Sequence, residues 1–190
     1  LGYNVSFLSE QDVIYGNLVK YDAIVTGIRA YNTLDWLDNA YNSLMNYVEK
    51  GGQLVVQYNT NNRLAAMKTK MFPYPFTISR SRITDENAEV NFIDPTNSLL
   101  NYPNKITKED FNGWIQERSI YNAENIDSRY ETILSMKDPG EAEQSGSLIA
   151  ANYGKGKIIY TGLVFFRELP AGVPGAFKLF ANIISNKNSK

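Results

Sequence analysis

Apolar residues follow two rhythms along this chain, and the switches between them mark its elements. Asp22-Ala23-Ile24-Val25-Thr26-Gly27 is a short apolar run ended by glycine, the pattern of a strand buried in a parallel sheet. Leu34, Leu37, Tyr41, Leu44 and Val48 then recur at steps of three and four, which predicts a helix with one apolar face. Thr33 suits its N-cap and Gly51-Gly52 its stop. Gln53 to Tyr58 reads as a second buried strand, and strand, helix and strand within about 37 residues is the size of a right-handed βαβ crossover. Upstream, Gly2 fits the left-handed position after a helix, and Asn4 to Leu8 alternates polar and apolar like a further strand. This opening predicts a helix and a strand before Leu1, so that the chain is part of a longer polypeptide.

From Met71 to Met136 the pattern shortens and is interrupted by Pro73, Pro75, Pro95 and Pro103. Strands are predicted near residues 76–80, 89–93, 115–119 and 132–136, with single helical turns near 96–100 and 108–111. Asp138-Pro139-Gly140 opens a polar loop to Gly146. Ser147–Tyr153 and Lys157–Thr161 then flank Gly154-Lys155-Gly156, which reads as an antiparallel hairpin around a glycine turn. Ala176, Phe177, Phe180, Ile183 and Ile184 mark a closing helix, and Asn186 to Lys190 reads as a frayed tail. Without internal repeats or low-complexity tracts, the 190 residues fit one domain.

Composition narrows the chemistry. Hydrophobic residues make up 43% and charged residues 21%, values at which a globular core forms. A net charge of −1, from 19 basic and 20 acidic residues, gives no electrostatic reason to expect nucleic acid as a partner. No stretch reaches the roughly 18 to 20 apolar residues of a membrane span. Cysteine and histidine are both absent, which removes thiolate nucleophiles, disulfides, cysteine metal sites and the usual general base. Neither a Cys-His nor a Ser-His-Asp triad can be assembled. Carboxylate pairs, a Ser-Lys arrangement and an all-oxygen metal site remain; no cofactor is indicated.

Three stretches carry more information than periodicity. They are Tyr21 to Asn32 with Gly51 to Asn59, Gly113-Trp114-Ile115-Gln116-Glu117-Arg118, and Tyr153 to Leu163 continuing through Phe165-Phe166-Arg167-Glu168-Leu169-Pro170-Ala171-Gly172. Together they resemble the amidotransferase-like domain found C-terminal to LmbE/PIG-L-type zinc deacetylases in bacteria, and more distantly the ThuA-like branch of the same fold. The resemblance implies an α/β, flavodoxin-like, class I glutamine amidotransferase-like three-layer sandwich. Its central sheet would be mostly parallel, with the C-terminal antiparallel hairpin. It also implies a deacetylase domain upstream in the same polypeptide and a periplasmic or extracellular location. The zinc motif of such a deacetylase is not in this chain. At the turn where an active amidotransferase carries its cysteine, this chain offers Tyr58, Asn59 or Thr60. Where the triad histidine would lie, it has Gly162-Leu163-Val164-Phe165.

Ligands of open α/β sheets collect beyond the carboxyl ends of the strands. Arg29, Tyr31 and Asn32 follow one strand; Tyr58, Asn59 and Asn61 follow the next; Arg167 and Glu168 follow a third, with Trp114, Glu117 and Arg118 on an adjacent segment. Arginine, carboxylate, amide and aromatic groups suit a carbohydrate, an amino-sugar or a polysaccharide. The plainer readings are loop ties for Arg29, Arg118 and Arg167, core packing for Tyr31 and Tyr58, and burial for Trp114. Gly154-Lys155-Gly156 lacks P-loop spacing, and Gly172-Val173-Pro174-Gly175 reads as a helix start. The acidic pairs Asp85-Glu86 and Glu109-Asp110 read as solvated faces.

The expected function is therefore a non-catalytic accessory domain that binds sugar or braces a deacetylase domain. The alternatives are a glycoside hydrolase using Glu117 and Glu168, which requires the two carboxylates across a pocket, and a subunit-interaction module, whose mark is an exposed apolar patch.

Overall fold

The computed structural model describes residues 2–61 and 70–185. Its first part runs α1 (Glu10–Tyr15), a 3₁₀ turn (Leu18–Lys20), β1 (Ala23–Thr26), α2 (Ala30–Thr33), α3 (Leu37–Glu49) and β2 (Gln53–Gln57). Short pieces follow: β3 (Thr77–Ile78), β4 (Arg82–Ile83), β5 (Asn91–Phe92), α4 (Ser98–Asn101) and a 3₁₀ turn (Lys108–Phe111). Then come β6 (Ser119–Ile120), β7 (Ala123–Glu124), β8 (Glu131–Thr132) and β9 (Leu134–Ser135). The chain closes with β10 (Leu148–Tyr153), β11 (Gly156–Thr161), α5 (Phe165–Glu168) and α6 (Pro174–Ile184).

The fold is mixed α/β around a five-stranded sheet of order β1-β2-β11-β10-β8. β1, β2 and β11 are mutually parallel, with Gln53 opposite both Ala23 and Lys157. The hairpin predicted from the glycine turn is present, β10 lying antiparallel to β11 with Tyr153 opposite Gly156. Gly154 supplies the positive φ of 59° that this two-residue turn requires. The sheet is thus half parallel and half antiparallel by pairing, because the hairpin and β8 complete it on one side.

Alternation along β2 explains why it reads as continuously apolar. Leu54 and Val56 face a core built with Leu44, Tyr47 and Val48 of α3 and Val13 of α1. Val55 faces the other core, with Ala176, Leu179 and Ile183 of α6 and Phe111 and Trp114 of the middle region. A strand covered on both faces is apolar at successive positions, as Leu54, Val55 and Val56 are, and each such side chain contributes roughly 1.5–3 kcal/mol by burial.

Local signals fix the helix ends. Ser9 and Asp12 form a capping box that starts α1, the Asp12 N–H donating to Ser9 Oγ at 3.3 Å and the Ser9 N–H to Asp12 Oδ2 at 2.9 Å. The capping role expected of Thr33 is corrected. Its hydroxyl donates to the Arg29 carbonyl at 3.1 Å, closing α2, and α3 begins three residues beyond the expected first position.

The strand expected over Asn4–Leu8 is absent. Val5 and Phe7 are 77% and 98% exposed, and the segment has no ladder partner among the described residues. Alternation sets where side chains point, but a strand also needs a neighbour for its backbone. β1 is consequently the edge of the sheet, leaving Val25 38% exposed where full burial is expected. The middle strands are shorter than predicted and pair as three two-residue antiparallel ladders, β3 with β7, β4 with β6 and β5 with β9. Ile115–Arg118 is not strand; pairing begins at Ser119. The tail expectation over residues 186–190 lies outside the described residues. Among those residues no helix is long and apolar enough to cross a membrane.

Candidate functional site

Because β1, β2 and β11 are parallel, their carboxyl ends emerge on one side and bring three loops together. Arg29 sits at the start of α2 in the left-handed region (φ 57°), and its N–H donates to the Tyr58 carbonyl at 2.8 Å. Asn59 is sealed beneath: its Oδ1 accepts the Tyr31 N–H at 3.0 Å and its Nδ2 donates to the Gln57 carbonyl at 3.0 Å. Asn32 exchanges hydrogen bonds with Thr60 in both directions. The turn after β2 is thus a braced junction whose amides serve the backbone.

Tyr58 stacks on Tyr121 (centroids 5.6 Å apart, planes 11° apart) and leans on Phe166 at 5.4 Å. It keeps 8% of its surface exposed, and its hydroxyl makes no hydrogen bond among the described residues. Burial raises the Tyr58 phenol above its ordinary pKa, and the Arg29 and Arg167 charges oppose that shift. Arg167 lies over the Phe166 ring at 4.9 Å, donates to Gln116 and faces Glu117 Oε1 at 3.2 Å; its Nε is buried without a hydrogen-bond partner. Glu117, only 2% exposed, is also bonded by Arg82. Of the four non-glycine residues with positive φ among the described residues, three border this cluster: Arg29, Gln116 (φ 66°) and Tyr121 (φ 55°). Such strain persists where the surroundings over-determine it, and it concentrates at functional sites.

The structure brings Arg29, Tyr58, Glu117 and Arg167 together at the strand ends. It removes four other expected ligand contacts from solvent. Trp114 is a core residue, its ring against Phe111 and Phe165 and its Nε1 donating to the Asp110 carbonyl at 3.1 Å, so it offers no platform to a sugar. Arg118 is buried under the Ala88 and Phe111 carbonyls, to which it donates. Tyr31, on α2, is buried in the core, and burial raises its phenol pKa well above the ordinary value. Glu168 is fully buried and accepts the Ile115 N–H at 3.1 and 3.2 Å. Asn32 and Asn59 hold loops. Tyr121, Phe166, Gln116 and Arg82 belong to the cluster and were not among the expected residues; tertiary pairing brings them in, and no sequence spacing marks them.

A carboxylate-pair reaction is not supported by this arrangement. Glu117 is held between two arginines and Glu168 is sealed, so neither carboxylate faces open space where a glycosidic bond could enter. A serine–lysine contact does occur, with Lys157 Nζ 3.2 Å from Ser98 Oγ. Burial lowers the Lys157 pKa, but Glu131 opposes that shift and is itself bonded by Asn97. The pair ties the start of α4 to the sheet, at the end of β11 away from the Tyr58 cluster. Among the described residues no group of three or more acidic ligands is placed to hold a metal ion.

No family model matches the chain, and no curated protein does. Solved structures do. A cytoplasmic protein from Salmonella typhimurium superposes with a TM-score of 0.54 at 14% identity, over 95% of this chain and 75% of its own. A second, from Salmonella typhimurium LT2, reaches 0.57 at 12% identity, over 95% and 80%. The shared property is the fold. A GH42 beta-galactosidase from Rahnella sp. R3 aligns over 81% of this chain and 23% of its own at 15% identity, with a TM-score of 0.47 that is too low to bear on function.

Proposed function

We propose that this chain is a non-catalytic accessory domain that braces a catalytic partner, the partner being an LmbE/PIG-L-type deacetylase domain in the same polypeptide. The observation that carries this reading is the distribution of exposed apolar side chains. Of the ten large ones that the described residues expose, six lie between Tyr3 and Val25: Tyr3, Val5, Phe7, Tyr15, Val19 and Val25. Val25 itself lies on β1, a four-residue strand at the end of the sheet with no charge, proline or bulge to protect it and no outer partner among the described residues. Unprotected edges invite pairing, and apolar patches mark interaction surfaces. The missing imidazole and thiol, with both candidate carboxylates engaged, agree with a role that involves no bond breaking. Helices on both faces of a sheet with three parallel strands agree with a flavodoxin-like, class I glutamine amidotransferase-like sandwich.

The test uses the full-length polypeptide. Phe7→Ser with Val25→Lys should lower the melting temperature of the deacetylase domain and expose the junction to protease. Unchanged melting and unchanged cleavage would end the bracing reading.

The Tyr58 cluster favours a second reading, carbohydrate binding at the strand ends. Its aromatic rings, guanidiniums and the free Tyr58 hydroxyl are the groups such ligands use. Titrating the protein and its Tyr58→Ala variant with N-acetylglucosamine oligomers tests it. Equal response from both would rule out this surface.

A further inference from the structure

The charges around Tyr58 are unbalanced. Arg29, Arg82 and Arg167 stand against the single carboxylate of Glu117, in a chain whose net charge is −1. Asp138 feels Arg82 on the far side of the cluster, where it caps Thr84 and Asp85, and even when it is counted the excess stays positive. Glu168 is fully buried and shared by Arg118 and Arg167, so it offers no charge at the surface beside the exposed Arg29.

The guanidiniums differ in how fully they are used. Arg82 is committed to Glu117. Arg167 spends its Nη atoms on Glu117 and Gln116 and leaves Nε buried without an acceptor. Arg29 is exposed, and its guanidinium makes no hydrogen bond or ion pair among the described residues. Its backbone is nevertheless pinned in the left-handed region by the bond to the Tyr58 carbonyl. A surface arginine that served only solubility would need no such pinning, and the strained φ costs energy that an ordinary helix start avoids.

The geometry points to an oxyanion-binding site formed by Arg29, the Tyr58 hydroxyl and Arg167, which would take a ligand carrying a carboxylate or phosphate group. The planar guanidinium fork matches either group, and the Tyr58 hydroxyl supplies a donor beside it. This rests on the carbohydrate reading of the same surface and makes it more specific. Neutral N-acetylated sugars gain nothing from the arginine excess, and deacetylated amino-sugars, being cationic, are repelled by it. The favoured ligands are sugar acids and sugar phosphates.

Ligand-observed NMR titrations with glucuronate, glucose 6-phosphate, N-acetylglucosamine and glucosamine test this inference. Saturable binding of glucuronate or glucose 6-phosphate, at least tenfold tighter than of either amino-sugar and weakened as ionic strength rises from about 0.05 to about 0.5 M, is the expected result. Comparing the two anions identifies which group is preferred. Arg29→Asn, which keeps a residue tolerant of the left-handed region, should weaken anion binding at least tenfold while the melting temperature stays within a few degrees. Arg129→Ala, a bidentate partner of Asp127 elsewhere, should leave binding unchanged. Binding of N-acetylglucosamine as tight as of glucuronate would overturn the anion site and leave the carbohydrate reading standing. No saturable binding of any of the four would overturn both, and anion binding unaffected by Arg29→Asn would move it away from this site.

Discussion

Asn32 and Thr60 exchange hydrogen bonds across the top of the sheet. Asn32 Nδ2 donates to the Thr60 carbonyl at 2.9 Å, and Asn32 Oδ1 accepts the Thr60 N–H at 2.8 Å. A side-chain amide thereby imitates one rung of a ladder just where β1 and β2 have ended. The loops carrying Arg29 and Tyr58 are held as one unit, so the cluster at the strand ends is preorganised. Asn32→Ala would strand both Thr60 groups and should cost about 1–3 kcal/mol, measured as a lower urea midpoint with an unchanged slope.

Glu117 is the counter-ion of the cluster. Its removal takes from Arg82 and Arg167 the carboxylate they share. Since both arginines are partly exposed, Glu117→Gln should cost about 2–3 kcal/mol, below the range for a fully buried pair. The Glu117→Gln, Arg82→Ala double variant should recover part of that loss. A double-mutant cycle in which the two effects simply add would contradict the shared clamp.

Glu168 gives stability a pH dependence of known sign. Burial raises its pKa in the folded protein, opposed by the Ile115 N–H bond and by the Arg118 and Arg167 charges. A carboxyl whose folded pKa exceeds its unfolded one binds protons more tightly when folded. Its contribution is fully present below the unfolded pKa and is lost as pH rises through the folded value. Glu168→Gln, which keeps an acceptor for Ile115, should therefore flatten the decline of melting temperature above about pH 4.3. Thermal melts between acid and neutral pH would show the wild-type slope retained if Glu168 is not responsible.

Trp114 closes the core between Phe111 and Phe165. Trp114→Ala should destabilise the protein by about 3–5 kcal/mol through the lost burial and the cavity left behind. The emission that disappears should be the blue-shifted component, since Trp36 is the less buried of the two tryptophans. A red-shifted loss would mean that Trp114 faces water.

The sequence by itself determined the elements whose period is complete within one segment. These are the strand–helix–strand unit around α3, the glycine-turned hairpin β10–β11 and the closing helix α6. It also determined that histidine and cysteine chemistry is excluded, a matter of composition that no folding can change. Only the tertiary structure decided where the polar residues point. Glu117, Arg118 and Trp114 sit next to exposed Ile115 and Gln116, yet packing buries the first three against Arg82, Ala88 and Phe111. The alternation in Asn4–Leu8 matches that of a strand, and the segment is still unpaired, because pairing depends on a neighbour that local sequence does not specify. Side-chain period is a local property of the backbone, whereas burial and partnership are set by segments distant along the chain. The Tyr58 site, built from loops after three strands and from Tyr121, could be seen only once those strands were aligned.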